Sequence, residues 1–446
     1  MPASADEAFD WDRRGAPQVR HSHAFLARLV GMLRRDYPDV YAELLREGAT
    51  EMRFGDDVPP AITNFELQPE DAELVMLACR RTTFEWVLRR AALAEGAVTF
   101  RTGVGVNGLV ADRGVQPHVT GVRLADGNEI PADFIVVAAG RRSALSEWLN
   151  EIGVAAVPET VDETGIVYLS RFYRLREGES APPRSGPIGG DLGYLKYGVF
   201  AGDNQTFSVT LATPTADEAL RKLVTDPVVF DNCAQQLVAT RPWLDGRAVA
   251  ITDGVYVMAG LINRWRQHVV DGVPVVTGVA AVGDAVLCTN PLYGRGCCTA
   301  FWSAHLLADA LAAHANDPIA LQLAYDAALR DEILPWYRSS VDQDKESNRV
   351  ANALLAGEDP DGDPNDPRAF IRSVMRDGLM PAIRRDAVVL RAFFRTFNLM
   401  CAPDEMVKDP DVFGRVLAVW QDRENREPEP LLGPATRAEL LAALAR

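Results

Sequence analysis

The segment "GDAVLCTNPLYGRGCCTA", residues 283–300, lies between two different patterns. Ahead of it, Val275 to Val282 reads as a buried strand; behind it, "AFWSAHLLADALAAHA" reads as a buried helix. The join carries Gly283-Asp284, then Pro291, then Gly294 and Gly296 at the opening of the helix. The first turn of a helix offers unpaired backbone N–H donors to an electron-rich group. Glycines there remove the side chains that would hold a planar ring away from the backbone, and Pro291 fixes the loop's shape. Asp284 falls at the carboxyl end of the strand, where open α/β sheets place their ligands, and its carboxylate suits ligand hydroxyls. A plain turn followed by a helix cap is the competing explanation for the same residues.

A second glycine pattern behaves differently. "GVGVNG", residues 103–108, satisfies Gly-x-Gly-x-x-Gly, but phosphate binding needs that turn to run from a strand into a helix. The residues that follow, "LVADRGVQPHVTGV", are β and turn in character, so these glycines are expected inside a strand or bulge.

The rest of the chain gives the setting. "HAFLARLVGMLRRDYPDVYAELLREGA" carries apolar residues at helical spacing, interrupted at a Pro and closed at Gly48. "TTFEWVLRRAALAEG" predicts a helix entered through Thr82 or Thr83 and closed by Gly96. β structure follows, with Asp126-Gly127 as a hairpin turn and Phe134 to Ala139 apolar enough for a strand buried on both faces. From Val157 to Val270 period-2 segments such as "GIVYLSRFYRLR" and "TFSVTLA" predict a largely antiparallel sheet. The expected layout is a mixed α/β chain: a first domain over residues 1–156 that resumes over 271–323, an inserted β-sheet domain over 157–270, and a helical region over 324–446 broken by "GEDPDGDPNDP". There are no internal repeats.

Composition narrows the function. The 446 residues, 48% hydrophobic, suffice for a large core. A net charge of −16 repels phosphate backbones and argues against nucleic acid as a partner. No apolar run reaches the ~20 residues of a membrane span, and "MPASADEAFDWDRR" lacks the parts of a signal peptide, so a cytoplasmic protein is expected. Six cysteines without Cys-x-x-Cys spacing read as free thiols, and no metal site is expected.

At the Gly-Asp segment the chain resembles the flavoprotein monooxygenases of the p-hydroxybenzoate hydroxylase fold, and more closely a bacterial group of FAD-dependent oxidoreductases. The resemblance implies that Asp284, with Gly283, binds the ribityl chain of FAD. Pro291 would lie beside the reactive edge of the flavin, with Gly294, Gly296 and Cys297 presenting backbone to the pyrimidine end. "ADFIVVAAGRRSALSEWL" is similar to the family's strand ending in a Gly-Arg-x-Ser turn, which implies that Gly140, Arg141 and Ser143 lie near the cofactor. "CRRTTFEWVLRR" resembles the helix whose leading Arg contacts FAD, matched by Arg81 with Glu85 marking the register. "RRGAPQVRHSHAFLARL" is similar to a segment that follows the second strand of the family's nucleotide-binding unit.

The family's opening strand, Gly-x-Gly-x-x-Gly turn, helix and second strand have no counterpart in this chain. The fold expected is therefore an incomplete FAD-binding Rossmann-like domain with an inserted substrate sheet. Either the start codon is placed downstream of the true one, or the product is shortened and holds FAD weakly. The first is favoured, because the flavin-side residues are complete and an unpaired apolar sheet edge would invite aggregation.

The activity this implies is oxygenation, by hydroxylation or epoxidation, of a small organic molecule through a flavin C4a-hydroperoxide, with NAD(P)H as reductant. The cofactor supplies the chemistry, while the protein supplies a dry pocket and orientation. A reductase or halogenase of the same fold is an alternative, although no Trp-x-Trp-x-x-Pro occurs. A non-catalytic remnant without FAD is another. Arg20 and His23, with His21, are candidate polarising or proton-transfer groups, or else cap and surface residues. Cys297-Cys298 read as small apolar fillers, and "RAFFRTFNLM" as core packing. Substrate identity and oligomeric state are not legible.

Overall fold

In a computed structural model, described for all residues except 14, 113, 115, 184–187, 364–365, 427 and 446, the chain forms two compact units. One gathers Met1–Arg89, Gly165–Leu261 and Lys345–Arg446; the other gathers Arg90–Thr164 and Ile262–Asp344. Both are built from separate stretches of chain. The grouping differs from the sequence layout in two respects: Met1–Arg89 lies with the inserted sheet and not with 90–156, and most of the C-terminal helical region belongs with that sheet too.

The smaller unit contains the segment 283–300. Strands Val106–Asp112, His118–Leu124 and Glu129–Pro131 form an antiparallel sheet, and Gly127 takes the left-handed conformation (φ 88°) in the turn. Gly108 lies within the first strand beside a register shift, so GVGVNG enters a bulged strand, not a helix. Strand Ile135–Val137 runs parallel to Val279–Ala281, with Ile135 N–H donating to Gly278 O (2.9 Å) and Val282 N–H to Val137 O (3.0 Å).

The far edge of Val279–Ala281 is closed by side chains. Gln322 Nε2 donates to Val279 O (2.7 Å) and Tyr325 OH to Ala281 O (2.8 Å), both from helix Pro318–Ala328. These bonds leave that edge no free acceptors at 279 and 281 with which to recruit another strand. The expectation of a strand buried on both faces at 134–139 is corrected: Val137 is buried, but Val136 is 50% exposed. Among the described residues this sheet has two strands, and Val136 lies on its open face.

The larger unit is organised by an antiparallel sheet in the order Ala248–Ala250, Ile166–Leu175, Thr206–Pro214, Lys196–Ala201, Gly189–Asp191, with Tyr256–Met258 also on Ile166–Leu175. Strand alternation sorts its residues. Leu169, Tyr173, Phe207, Val209, Leu211 and Val199 pack with Leu220, Phe230, Leu237 and Leu440 in one core. Ser170, Phe172, Ser208 and Thr210 occupy the opposite face. This second face is also buried, because the segment 5–23 crosses it. Phe9 meets Phe172 edge to face at 5.3 Å, Ser22 shares hydrogen bonds with Ser208 and Thr210 (both 2.7 Å), and His21 Nδ1 pairs with Ser170 Oγ (3.1 Å).

The helix expected from Thr82 or Thr83 to Gly96 is present as Arg81–Ala94, and the helices expected after 324 include Leu334–Ala356, Ala387–Phe397 and Pro410–Gln421. The expected loop at 357–367 separates Leu334–Ala356 from Ala369–Ser373, its residues 364–365 lying outside the described ones. "RAFFRTF" does pack: Phe394 meets Phe54 at 5.2 Å, within a core that includes Leu74, Val374, Val389 and Val416.

Candidate functional site

Parallel pairing brings two turns together. Strands Ile135–Val137 and Val279–Ala281 end on the same side, so the turn Gly140–Arg142 lies next to the turn Gly283–Ala285. Gly140 (φ 69°) and Gly283 (φ 58°) both adopt the left-handed backbone that a side chain disfavours. At Gly283 a Cβ would also come within 3.0 Å of the Ala300 methyl, and its N–H donates to Ser303 Oγ (2.9 Å). Half-buried Asp284 therefore stands at the carboxyl end of a strand, beside Gly140 and Arg141. Behind them, buried Arg266 donates to Ala285 O (2.8 Å) and pairs with Glu159 (2.9 Å), and Arg264 donates to Arg141 O (3.2 Å).

From Thr289 the chain turns sharply into the helix Gly296–His314. Asn290 begins the turn Pro291–Tyr293, its Oδ1 accepting from Leu292 N–H (3.0 Å), and Gly294 (φ 66°) reverses the chain. The helix that follows has 19 residues and no side chain capping its start. A Cβ at Gly296 would meet only open space, and Cys298 is buried while Cys297 is half-buried. Thr289 Oγ1 is buried without a hydrogen-bond partner, a polar atom left for something else to satisfy.

Arg295, fixed next to this opening, is buried and donates to Ser340 Oγ (2.8 Å), its guanidinium over the rings of Tyr293 (4.8 Å) and Trp336 (4.9 Å). Burial pulls its pKa down to about 10, so it stays a cation at neutral pH. Asp344, also buried, accepts from Asn263, Asn290 and Tyr293. Sequence reasoning missed Thr289, Asn290, Arg295 and Asp344. For Thr289, Asn290 and Arg295 the signal was available within the quoted segment; for Asp344, on a helix some fifty residues later, there was none.

Of the sequence candidates, Gly140, Arg141, Gly283, Asp284, Pro291, Gly294, Gly296 and Cys297 thus fall within one unit, while Arg20, His23 and Arg81 belong to the other. There, Arg81 Nε donates to Glu85 (2.6 Å), which also pairs with Arg13 (2.7 Å), and Arg81 Nη1 donates to His23 Nε2 (3.0 Å). A guanidinium only donates, so His23 Nε2 accepts and its proton sits on Nδ1, which donates to His21 O (2.8 Å). Burial first, and the Arg81 charge second, push the pKa of His23 well below the usual value, keeping the ring neutral. Arg20 donates to Phe9 O and lies over the rings of Phe9 (5.3 Å) and Tyr256 (5.8 Å).

Comparison with known structures bears on what these turns are for. The chain superimposes on PqsL of Pseudomonas aeruginosa, described as a probable FAD-dependent monooxygenase, with a TM-score of 0.53 and 18% identity over 79% of this chain and 89% of that one. It matches a variant of HpxO from Klebsiella pneumoniae complexed with FAD at a TM-score of 0.53 and 14% identity, over 89% and 90% of the two chains. The chain has the flavin monooxygenase fold. A third similar structure, the anhydrotetracycline hydroxylase OxyS of Streptomyces rimosus, gives a TM-score of 0.50 and 16% identity, over 89% of this chain and 74% of that one. Protein Rv3254 of Mycobacterium tuberculosis is 26% identical over 455 residues, covering 94% of this chain and 88% of that protein. No protein-family model matches the chain. Among the described residues no helix is long and apolar enough to cross a membrane, and no cluster of metal-binding side chains occurs.

Proposed function

We propose that the protein is an FAD-dependent monooxygenase acting on a small organic molecule, with NAD(P)H as reductant. The observation that carries this reading is the pair of glycine turns at the ends of adjacent parallel strands, followed by a helix start that is open and uncapped. The residues fit the flavin half of the cofactor. The backbone at Gly296 is accessible to a planar ring, the helix terminus favours its electron-rich pyrimidine edge, and Thr289 Oγ1 lacks a partner.

In this reading Asp284 accepts from ribityl hydroxyls, Gly283 and Gly140 let the backbone approach, Gly294 reverses the chain with its own N–H held by Pro291 O (2.9 Å), and Gly296 offers its N–H to the ring. Arg141 and Cys297 border the same turns, and Pro291 holds the loop between them. Bound flavin would supply the activation of oxygen. Arg81 has its guanidinium aimed by Glu85 and by the neutral ring of His23. His23 would thus act by orienting Arg81, since both its nitrogens are engaged. The resemblance of fold supports oxygenation, and PqsL has been crystallised with a small molecule, 2-aminobenzoylacetate. That supports an organic substrate of modest size for this chain too.

The test is a flavin titration of the purified protein. Saturable quenching of FAD fluorescence, with oxygen-dependent NAD(P)H oxidation once loaded, is the expected result. A Gly296→Val variant should bind flavin at least ~10-fold more weakly, since about 1.4 kcal/mol of steric or hydrogen-bond loss suffices. Colourless protein that ignores added FAD would overturn the proposal.

A further inference from the structure

The loop that carries Pro291 and Gly294 is held at both ends by one buried carboxylate. We propose that Asp344 is a positioning residue that presets this loop for its ligand, an inference that rests on the flavin reading. Asp344, 2% exposed on helix Leu334–Ala356, accepts through Oδ1 from Asn290 Nδ2 (2.6 Å) and Tyr293 OH (2.8 Å). Through Oδ2 it accepts from Asn263 Nδ2 (2.7 Å).

Both amides are fixed at their other ends. Asn263 Oδ1 accepts from Asn290 N–H (2.8 Å), and Asn290 Oδ1 accepts from Leu292 N–H (3.0 Å). Each asparagine therefore has one orientation, with nitrogen toward Asp344 and oxygen toward the loop backbone. Only an acceptor with two oxygens completes this arrangement, which identifies the carboxylate as the hub.

The residues it grips, Asn290 and Tyr293, bracket Pro291, and the next residue, Gly294, makes the left-handed turn that delivers Gly296 to the helix start. Asp344 contacts the carriers of the cofactor-facing backbone and need not touch the cofactor. Fixing the loop before binding removes an ordering cost from association, so losing the hub should appear as weaker binding and a less defined ring environment.

Asp344→Asn preserves shape but replaces one acceptor oxygen with an NH2 that confronts donors. The experiment compares wild type, Asp344→Asn and Tyr293→Phe by amide hydrogen exchange without flavin, then by FAD titration and visible spectrum. Expected is at least ~10-fold faster exchange at Leu292 and Gly294 in Asp344→Asn, a smaller rise in Tyr293→Phe, and unchanged exchange in strand Ile166–Leu175. FAD affinity should fall about tenfold, with a shifted flavin band. The two substitutions share a contact, so their combined effect should be less than additive.

Exchange separates the two readings. If the wild type binds no flavin, the proposed function fails while the loop hub is still judged by exchange. Wild-type exchange at Leu292 and Gly294 in Asp344→Asn would overturn the inference. So would wild-type affinity and spectrum in a variant of a flavin-binding protein. Should Asp344→Asn not fold, Tyr293→Phe carries the same comparison, and unchanged exchange in it decides against the hub.

Discussion

Two buried aspartates hold two loops by different means. Asp203, after strand Lys196–Ala201, is bound by a full counter-charge: Arg80 Nη2 reaches it at 2.6 Å and Arg80 Nε at 3.1 Å. Arg80 N–H (2.7 Å), Thr83 Oγ1 (2.9 Å) and Asn204 Nδ2 (3.0 Å) donate to it as well. Burial alone would raise the pKa of Asp203, but these bonds and the Arg80 charge win and hold it below the ordinary value. Asp344 accepts instead from two amides and a phenol, with the buried Arg295 charge acting on it through space. An ion pair sequestered from solvent clamps one structure and is costly to break, whereas hydrogen bonds donated by amides and a hydroxyl can shape a loop while leaving backbone donors available nearby.

The largest effect should come from breaking the charged clamp. Asp203→Ala leaves the Arg80 guanidinium buried beside no carboxylate of comparable burial, and losses of about 3–5 kcal/mol follow from such deletions. Chemical denaturation should show that loss as a lower midpoint. Arg80→Met in the same background should recover part of it, because the stranded charge is then gone. If Asp203→Ala alone costs less than about 1 kcal/mol, the pair is not the clamp described. Asp344→Asn, in contrast, should cost less global stability than local order.

A smaller loss is expected at the glycine turn. Gly283→Ala forces a side chain into φ 58° and brings its Cβ within 3.0 Å of Ala300, for which about 1–3 kcal/mol is a fair expectation. Gly296→Ala, at a helical position facing open space, should leave stability within about 1 kcal/mol of wild type. If Gly296→Ala weakens flavin binding while remaining stable, function and folding separate at that residue. Equal losses of stability in the two variants would remove the distinction between a constrained turn and an open helix start.

How much was visible beforehand follows from the same contrast. The segment 283–300 announced its strand, turn and helix because glycine, proline and apolar runs are local signals, and the turn at Asp126-Gly127 was legible for the same reason. Burial was less so. Ile135–Val137 reads as an interior strand by composition, yet Val136 is open because exposure depends on which strands come alongside. Ser170 and Thr210, directly paired across strands, are polar residues of an alternating sheet. They are covered because the segment 5–23 folds over them, a long-range event that period-2 reading cannot register. Asp344 lay in an unremarkable helical pattern, and only tertiary contact gives it three donors.

A last effect, which vanishes at neutral pH, concerns charge that the fold refuses. His23 is neutral when folded, held with Nε2 accepting from Arg81 and pushed to low pKa by burial; His268 is likewise lowered, to about 4, mainly by burial. Unfolded, both rings titrate near 6.5. Above that pH neither state binds the proton, so these residues add no pH dependence. Below it the unfolded chain takes up protons that the folded chain rejects, and stability falls by up to about 1.4 kcal/mol per pH unit for each ring. For His268 the decline should run from about pH 6.5 to about pH 4. Replacing His23 with Gln keeps an amide donor and acceptor near His21 O and Arg81 but removes the titration. Denaturation midpoints measured between pH 7 and pH 5 should therefore fall less steeply in His23→Gln than in wild type. Parallel slopes would mean that His23 takes up its proton in the folded state, with Arg81 displaced, and that it does not serve as the fixed neutral acceptor orienting that guanidinium.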